Sequence, residues 1–258
     1  MLRKTCLVAA AVLAAQVAGA AGPGRATVGP ADFVSVIAPS PRQKEVRITQ
    51  FRLDRRPVTN GQFLDFVVRH PEWQRGAVAE LFADDQYLTH WASATTLGNG
   101  AAADQPVTRV SWYAARAYCE AQGARLPTWY QWELAAAADE RNRDARKDPA
   151  WRERILNWYS HPVSTPLPRV GRNPPNVYGV QDLHGLVWEW VEDFNALMMS
   201  ADSRDQGDPD KLAFCGAGAL SVEDRENYPI LMRLAYLSAL QARSTTRALG
   251  FRCAEDAP

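Results

Sequence analysis

The sequence predicts an α+β domain with little regular secondary structure, and three observations carry that prediction. A strand-like alternation near the start is followed by three short helices with capping signals. The chain then turns rich in Pro, Gly and Asn, and ends on a short buried strand. Nine tryptophans in 258 residues, with few long periodic segments, point to a fold held by aromatic packing and ordered loops.

Each element has a local reason. EVRITQFRLD, residues 45 to 54, alternates apolar and polar residues as a half-buried strand does. Thr59 with Gln62 three residues on is a capping box, and Phe63, Phe66 and Val67 then share one helical face. Ser111 opens a second helix, with Ala114, Ala115, Tyr118 and Cys119 at helical spacing and Gly123 as its stop. Thr128 with Gln131 repeats the capping box for a third, after a connection that Pro127 tightens. Residues 139 to 159 read as charged helix split in two by Pro149. Residues 160 to 187 read as ordered loop, and the last third as short strand-like runs closing on GFRCA, 250 to 254.

The amino terminus reads differently. Arg3 and Lys4 precede the apolar run LVAAAVLAAQV, and Ala18-Gly19-Ala20 matches a signal-peptidase site, so 1–20 is expected to be a cleaved export signal and 21–32 a linker. The apolar run is short for a membrane anchor, and Cys6 stands at its front, unlike a lipoprotein site. A periplasmic or secreted location follows, with no membrane anchor after cleavage. The mature chain would carry 27 Lys plus Arg against 29 Asp plus Glu, a formal charge of −2, so no nucleic-acid partner is expected. No dinucleotide fingerprint, phosphate loop or serine-nucleophile elbow is present. The four histidines, His70, His90, His161 and His184, are too scattered to read as a metal set. Cys119, Cys215 and Cys253 remain after cleavage; export permits one disulfide and the odd count leaves one thiol.

Four blocks in order, RRPVTNGQFLDFV, QPVTRVSWYAARAYCEAQGARLPTWYQWELAAAA, NVYGVQDLHGLVWEW and LGFRCA, resemble the formylglycine-generating enzyme, or sulfatase-modifying factor, family over residues 33 to 254. The resemblance implies a single C-type-lectin-like domain. It implies a disulfide between Cys119 and Cys253. It also implies a calcium ion held by the side chains of Asp182 and Glu189 and the carbonyls of Gly185 and Val187, a hard-oxygen set that suits that ion. Leu186 stands where the family has Asn. The other reading of Glu189 is a buried carboxylate that takes backbone amides or an arginine beneath Trp188 and Trp190.

The catalytic block departs from the family. Family oxidases use two cysteines after a glycine-rich stretch to bind cuprous copper and convert a substrate cysteine to formylglycine, a task for which thiolates suit the soft ion. Here the stretch reads FCGAGALSVEDRENYPILMRLAY: Ser221 replaces the first cysteine, a polar residue near Glu226 replaces the second, and Cys215 lies on the wrong side of the glycines. Copper is therefore not expected. One family branch joins an iron-binding domain to make sulfur-containing histidine derivatives, and with no such domain in this sequence that branch is set aside. Exported branches act on a siderophore chromophore or accompany copper enzymes of nitrogen respiration. Two functions stay open. One is an exported maturation factor that binds a protein or peptide substrate and uses Ser221, Glu223 or Glu226 for proton transfer in an oxidation. The other is a non-catalytic binding module or chaperone for an exported copper enzyme.

Overall fold

A computed structural model describes residues 24–37, 43, 45–161, 164–195 and 228–257. The expected signal at 1–20 and the stretch carrying Cys215, Ser221, Glu223 and Glu226 lie outside the described residues.

The first half is built on a bent hairpin. Strand β1 (Arg25–Val28) pairs antiparallel with β4 (Phe51–Asp54), and β2 (Ala31–Val34) with β3 (Glu45–Ile48), in one continuous register from Arg25↔Asp54 to Val34↔Glu45. Between them sits Gly29, at φ 78°, followed by Pro30, which has no N–H to give the ladder. The single strand expected over 45 to 54 is thus two, because the chain passes from one sheet to the next at Thr49 and Gln50. β1 also corrects the linker expected at 21–32: Ala26 and Val28 are fully buried, in a strand too short for its alternation to be visible. Strand β7 (Ala254–Asp256) adds to the far side of β4, giving the order β1-β4-β7.

The helices begin where their caps predict. Helix α1 (Asn60–Arg69) has the full Thr59/Gln62 capping box and a 3₁₀ turn (Pro71–Trp73) after it. In α2 (Trp112–Ala121) the Ser111 hydroxyl accepts from Ala114 N at 3.1 Å, and the chain turns out through Gly123 at φ 65°. α3 (Trp129–Ala136) has the Thr128/Gln131 box. The expectation over 139 to 159 needs correction. Pro149 starts a helix, α4 (Pro149–Tyr159), with Asp148 as N-cap. Upstream, the Asp139 carboxylate accepts from the backbone amides of Arg141 and Asn142, a local turn that competes with helix. The last third also differs. A helix, α5 (Tyr228–Ser238), stands where strand-like runs were expected, and GFRCA contributes only Gly250 and Ala254 to strands β6 (Leu249–Gly250) and β7.

Aromatic rings fill the centre. Phe63 and Phe66 of α1, Tyr118 of α2, Trp91 and Phe251 meet with ring centroids 5.3 to 6.3 Å apart, and the Trp91 indole donates to buried Asn60 at 3.1 Å. Cys119 of α2 and Cys253 are joined by a disulfide, Cα atoms 5.5 Å apart, tying this cluster to the sheet. No described helix is long and apolar enough to cross a membrane.

Candidate functional site

The Trp188-Glu189-Trp190 segment runs through the core. Strand β5 (Trp188–Glu189) pairs parallel with β6, and Gly250 of β6 lets the Val107 backbone approach closely, since a Cβ there would lie 2.6 Å from the Val107 carbonyl oxygen. Glu189 is completely buried, and its neighbours satisfy both oxygens. Arg252 donates from Nη2 to Oε1 and from Nε to Oε2, each at 2.8 Å, and the Trp132 indole donates to Oε2 at 2.8 Å. This is a bidentate arginine fork. Arg252, itself fully buried, continues to the carbonyls of Asp54 at 3.1 Å and Gln181 at 2.9 Å.

A second buried cation lies alongside. Arg233 of α5 stacks over the Trp132 ring at 3.5 Å and donates to the Glu189 carbonyl, while its Nε finds no partner among the described residues. Burial lowers its pKa to about 10, against the stabilising pull of Glu189. Tyr159, Trp188 and Tyr236 form a three-ring stack with centroids 5.0 and 4.8 Å apart, and Trp158 leans on it.

Asp182 sits in a separate knot. At φ 58° its backbone is left-handed, and its carboxylate accepts from Gly171 N, from Asn173 N at 3.3 Å and from Asn173 Nδ2 at 3.0 Å. Asn176 pins the same loop to the Ala135 carbonyl at 2.8 Å. The expected calcium set of Asp182, Gly185, Val187 and Glu189 therefore does not fit an ion here. A guanidinium already holds both Glu189 oxygens, and amides take those of Asp182. Among the described residues no three His, Cys, Asp or Glu side chains gather as a metal site.

Between α4 and this loop opens a cavity of about 790 Å³. Trp151, Ile155, Leu183 and Leu186 give it apolar walls, with Arg154, Asn157, Arg172 and Asn173 also lining it. His184 lines it too, edge-on between Trp132 and Trp151. Burial drives the His184 pKa down to about 4, despite its bond to the Ala136 carbonyl, and the cations Arg233, Arg154 and Arg252 push the same way.

Residues 17–257 match the sulfatase-modifying factor enzyme 1-like domain. The chain belongs to the formylglycine-generating enzyme family. That match covers nearly the whole sequence and confirms the family and the single-domain α+β fold that the four blocks imply. Similar proteins include a hercynine oxygenase from Mycobacterium tuberculosis, 32% identical over 163 residues that cover 57% of this chain and 38% of that protein. The formylglycine-generating enzyme of Bos taurus is 30% identical over 170 residues, 59% of this chain and 44% of that one. The inactive C-alpha-formylglycine-generating enzyme 2 of Bos taurus is 28% identical over 264 residues, 83% of this chain and 80% of that one. The chain matches between 24% and 44% of the length of the first curated relatives. Among solved structures, PvdO from Pseudomonas aeruginosa aligns over 91% of each chain with a TM-score of 0.45 and 18% identity.

Sequence reasoning singled out Asp182 and Glu189, which the structure places on separate partners, and the pair Cys119 and Cys253, which it joins. It offered an arginine as one partner for Glu189 without naming Arg252, did not place Arg233 at Trp132, and read His184 only as one of four scattered histidines. The signal for Arg252 was present: LGFRCA is one of the four family blocks, and a buried carboxylate needs a cation somewhere.

Proposed function

We propose that this chain is an exported member of the family that binds a protein or peptide client and acts in its maturation without the two-thiolate copper chemistry. One observation carries the reading. The sequence holds four cysteines; Cys119 and Cys253 are bonded to each other, and Cys6 falls in the expected leader. Cys215 alone is left, and a cuprous site of the family kind takes two thiolates. Any chemistry at the divergent stretch would fall to Ser221, Glu223 or Glu226 as proton-transfer groups.

A second reading, a binding module with no chemistry of its own, is favoured by the similarity to an inactive family member over 83% of this chain. Calcium has no part in either reading.

Comparing intact masses and activities of exported proteins from cells with and without this chain tests the proposal. One or a few clients should lose a modification or their activity when the chain is absent, and should lose it again when Ser221→Ala/Glu223→Gln/Glu226→Gln replaces the wild type. Loss on deletion that the triple variant restores would select the binding-module reading. An unchanged exported set would overturn both. Incubation of the mature chain with a sulfatase-type cysteine peptide, oxygen and copper should give no aldehyde reactive to a hydrazide probe; an aldehyde lost in Cys215→Ala would restore the oxidase.

A further inference from the structure

On the surface, the loop that leads to Asp182 gathers positive charge without neutralising it. Arg55 and Arg56 follow β4 and lie exposed against this loop. Arg55 Nη1 donates to the Gly179 carbonyl at 3.1 Å, and Arg56 Nε donates to the Gln181 side-chain oxygen at 2.9 Å. Both acceptors are neutral, so each guanidinium is oriented and keeps its charge. The loop is shaped to receive them. Gly171 stands at φ 76°, and a Cβ there would lie 2.7 Å from Arg56 Nε, so a side chain at 171 would push that guanidinium aside. Gln181 ties the parts together: its side-chain amide donates to the Asn173 carbonyl at 2.7 Å and its backbone N to the Arg55 carbonyl at 2.8 Å.

Two more cations stand beside the pair. Arg172 follows Gly171, on which the Arg56 guanidinium rests, and Arg169 precedes Gly171 by two residues; both are exposed. Arg25, Arg47, Arg52 and Arg154 each pair with an acid, whereas none of these four does so among the described residues. Asp182 is buried and gives its carboxylate to the amides of Gly171 and Asn173. Exposed Asp104 meets the loop through its carbonyl, which accepts from Val170 N at 2.9 Å. In a sequence of 29 basic and 29 acidic residues, four unpaired arginines around one loop set up a local positive field on a neutral whole.

The other groups of the loop say what kind of anion suits it. The guanidinium fork matches the two oxygens of a carboxylate. Val177, Pro174 and Pro175 are exposed, and so is the Asn173 amide, so the same face offers apolar and hydrogen-bonding contact to side chains and main chain. We propose that this arginine face docks an acidic segment of a polypeptide client, whose carboxylates take the free edges of Arg55, Arg56 and Arg172. The inference rests on the reading that the chain binds a polypeptide, and names the chemistry by which it does so.

The test titrates the intact mature protein, by calorimetry at low ionic strength, with a short peptide of alternating Glu and Ala, with its Gln-for-Glu counterpart and with heparin. The Glu peptide should bind about tenfold or more tightly than the Gln peptide, and less tightly as salt is added. Arg55→Gln/Arg56→Gln should weaken the Glu peptide about fivefold or more, the effect of losing two exposed ion pairs. Those arginines also hold the loop, so Arg172→Gln, at an exposed position with no bond to disturb, gives an independent reading: about twofold or more weaker binding at an unchanged melting temperature. Arg47→Gln/Arg116→Gln removes as much charge from arginines that already have acid partners, and should leave the affinity within about twofold of wild type. Equal binding of the Glu and Gln peptides, or a loss as large in this control as in the patch variants, would overturn the site. Heparin binding through these arginines without binding of the Glu peptide would overturn the polypeptide assignment. The titration needs no client, so its failure is distinct from the absence of a maturation phenotype.

Discussion

Replacing Glu189 with Gln should be among the most damaging single changes available in this protein. The structure shows why. Three donors converge on a fully buried carboxylate, two from Arg252 and one from Trp132, all at 2.8 Å. An amide keeps one acceptor oxygen and turns an N–H₂ toward a group that can only donate. At least one charge-assisted bond is lost, worth about 1.5 to 3 kcal/mol, and Arg252 is left as an uncompensated charge. Breaking one side of a buried pair costs about 3 to 5 kcal/mol in total, or roughly 6 to 20 °C in melting temperature for a domain of this size. Urea unfolding followed by tryptophan fluorescence measures it. Glu189→Leu combined with Arg252→Met should recover a large part of the loss, because the pair costs desolvation that apolar replacements avoid. A single-variant loss below about 1 kcal/mol would show that the ion pair does not compensate the carboxylate as drawn.

Other consequences are separately measurable. Cys119→Ala/Cys253→Ala should cost about 5 kcal/mol by the chain-entropy relation for a sequence separation of 134, and the denatured, unreduced mature wild type should show one reactive thiol. Chelation of divalent ions should leave the melting temperature of the wild type unchanged, since Glu189 is held by Arg252; a chelator-induced drop abolished in Glu189→Gln would refute the arginine assignment. Burial, with Arg109 and Arg75 nearby, lowers the His90 pKa from 6.5 to about 4. Its stability contribution is therefore fully present above pH 6.5 and lost as pH falls through 4, by about 3 kcal/mol at most. His90→Phe should flatten that part of the pH–stability curve, and an unaltered curve would refute it. Asp148→Ala should lower stability by about 1 kcal/mol through loss of the α4 cap, seen as a shift in urea midpoint.

What was legible in the sequence was local. Thr59 with Gln62 and Thr128 with Gln131 announce helix starts because donor and acceptor are three residues apart, and both boxes form. Pro149 was misread for an equally local reason: proline suits the first turn of a helix, and the Asp139 turn that ends regular structure before it is fixed by side-chain geometry that periodicity does not register. β1 was missed because four residues alternate too briefly, and its strand character comes from pairing with β4. The family blocks reached further, fixing the fold class and the pairing of Cys119 with Cys253 across 134 residues. They did not identify the partner of Glu189. Arg252 lies 63 residues on, and although a buried carboxylate calls for a cation, neither local sequence says which arginine supplies it.

That meeting governs what the loop can do. With Arg252 in place, the charge of Glu189 is balanced by the chain itself. The balance extends outward through consecutive residues. Arg252 donates to the Asp54 carbonyl at 3.1 Å, Cys253 N donates to the Asp54 carboxylate at 2.9 Å, and Cys253 is bonded to Cys119. Disulfide, sheet and buried ion pair therefore form one block behind the cavity. Trp132 donates to Glu189 on one side and meets His184 on the other, its ring centroid 5.7 Å from the imidazole, so the part of the cavity wall that carries His184 is braced by that block. Reduction of the disulfide should accordingly loosen the packing of His184 against Trp132 as well as lower stability, a change that near-ultraviolet circular dichroism would register.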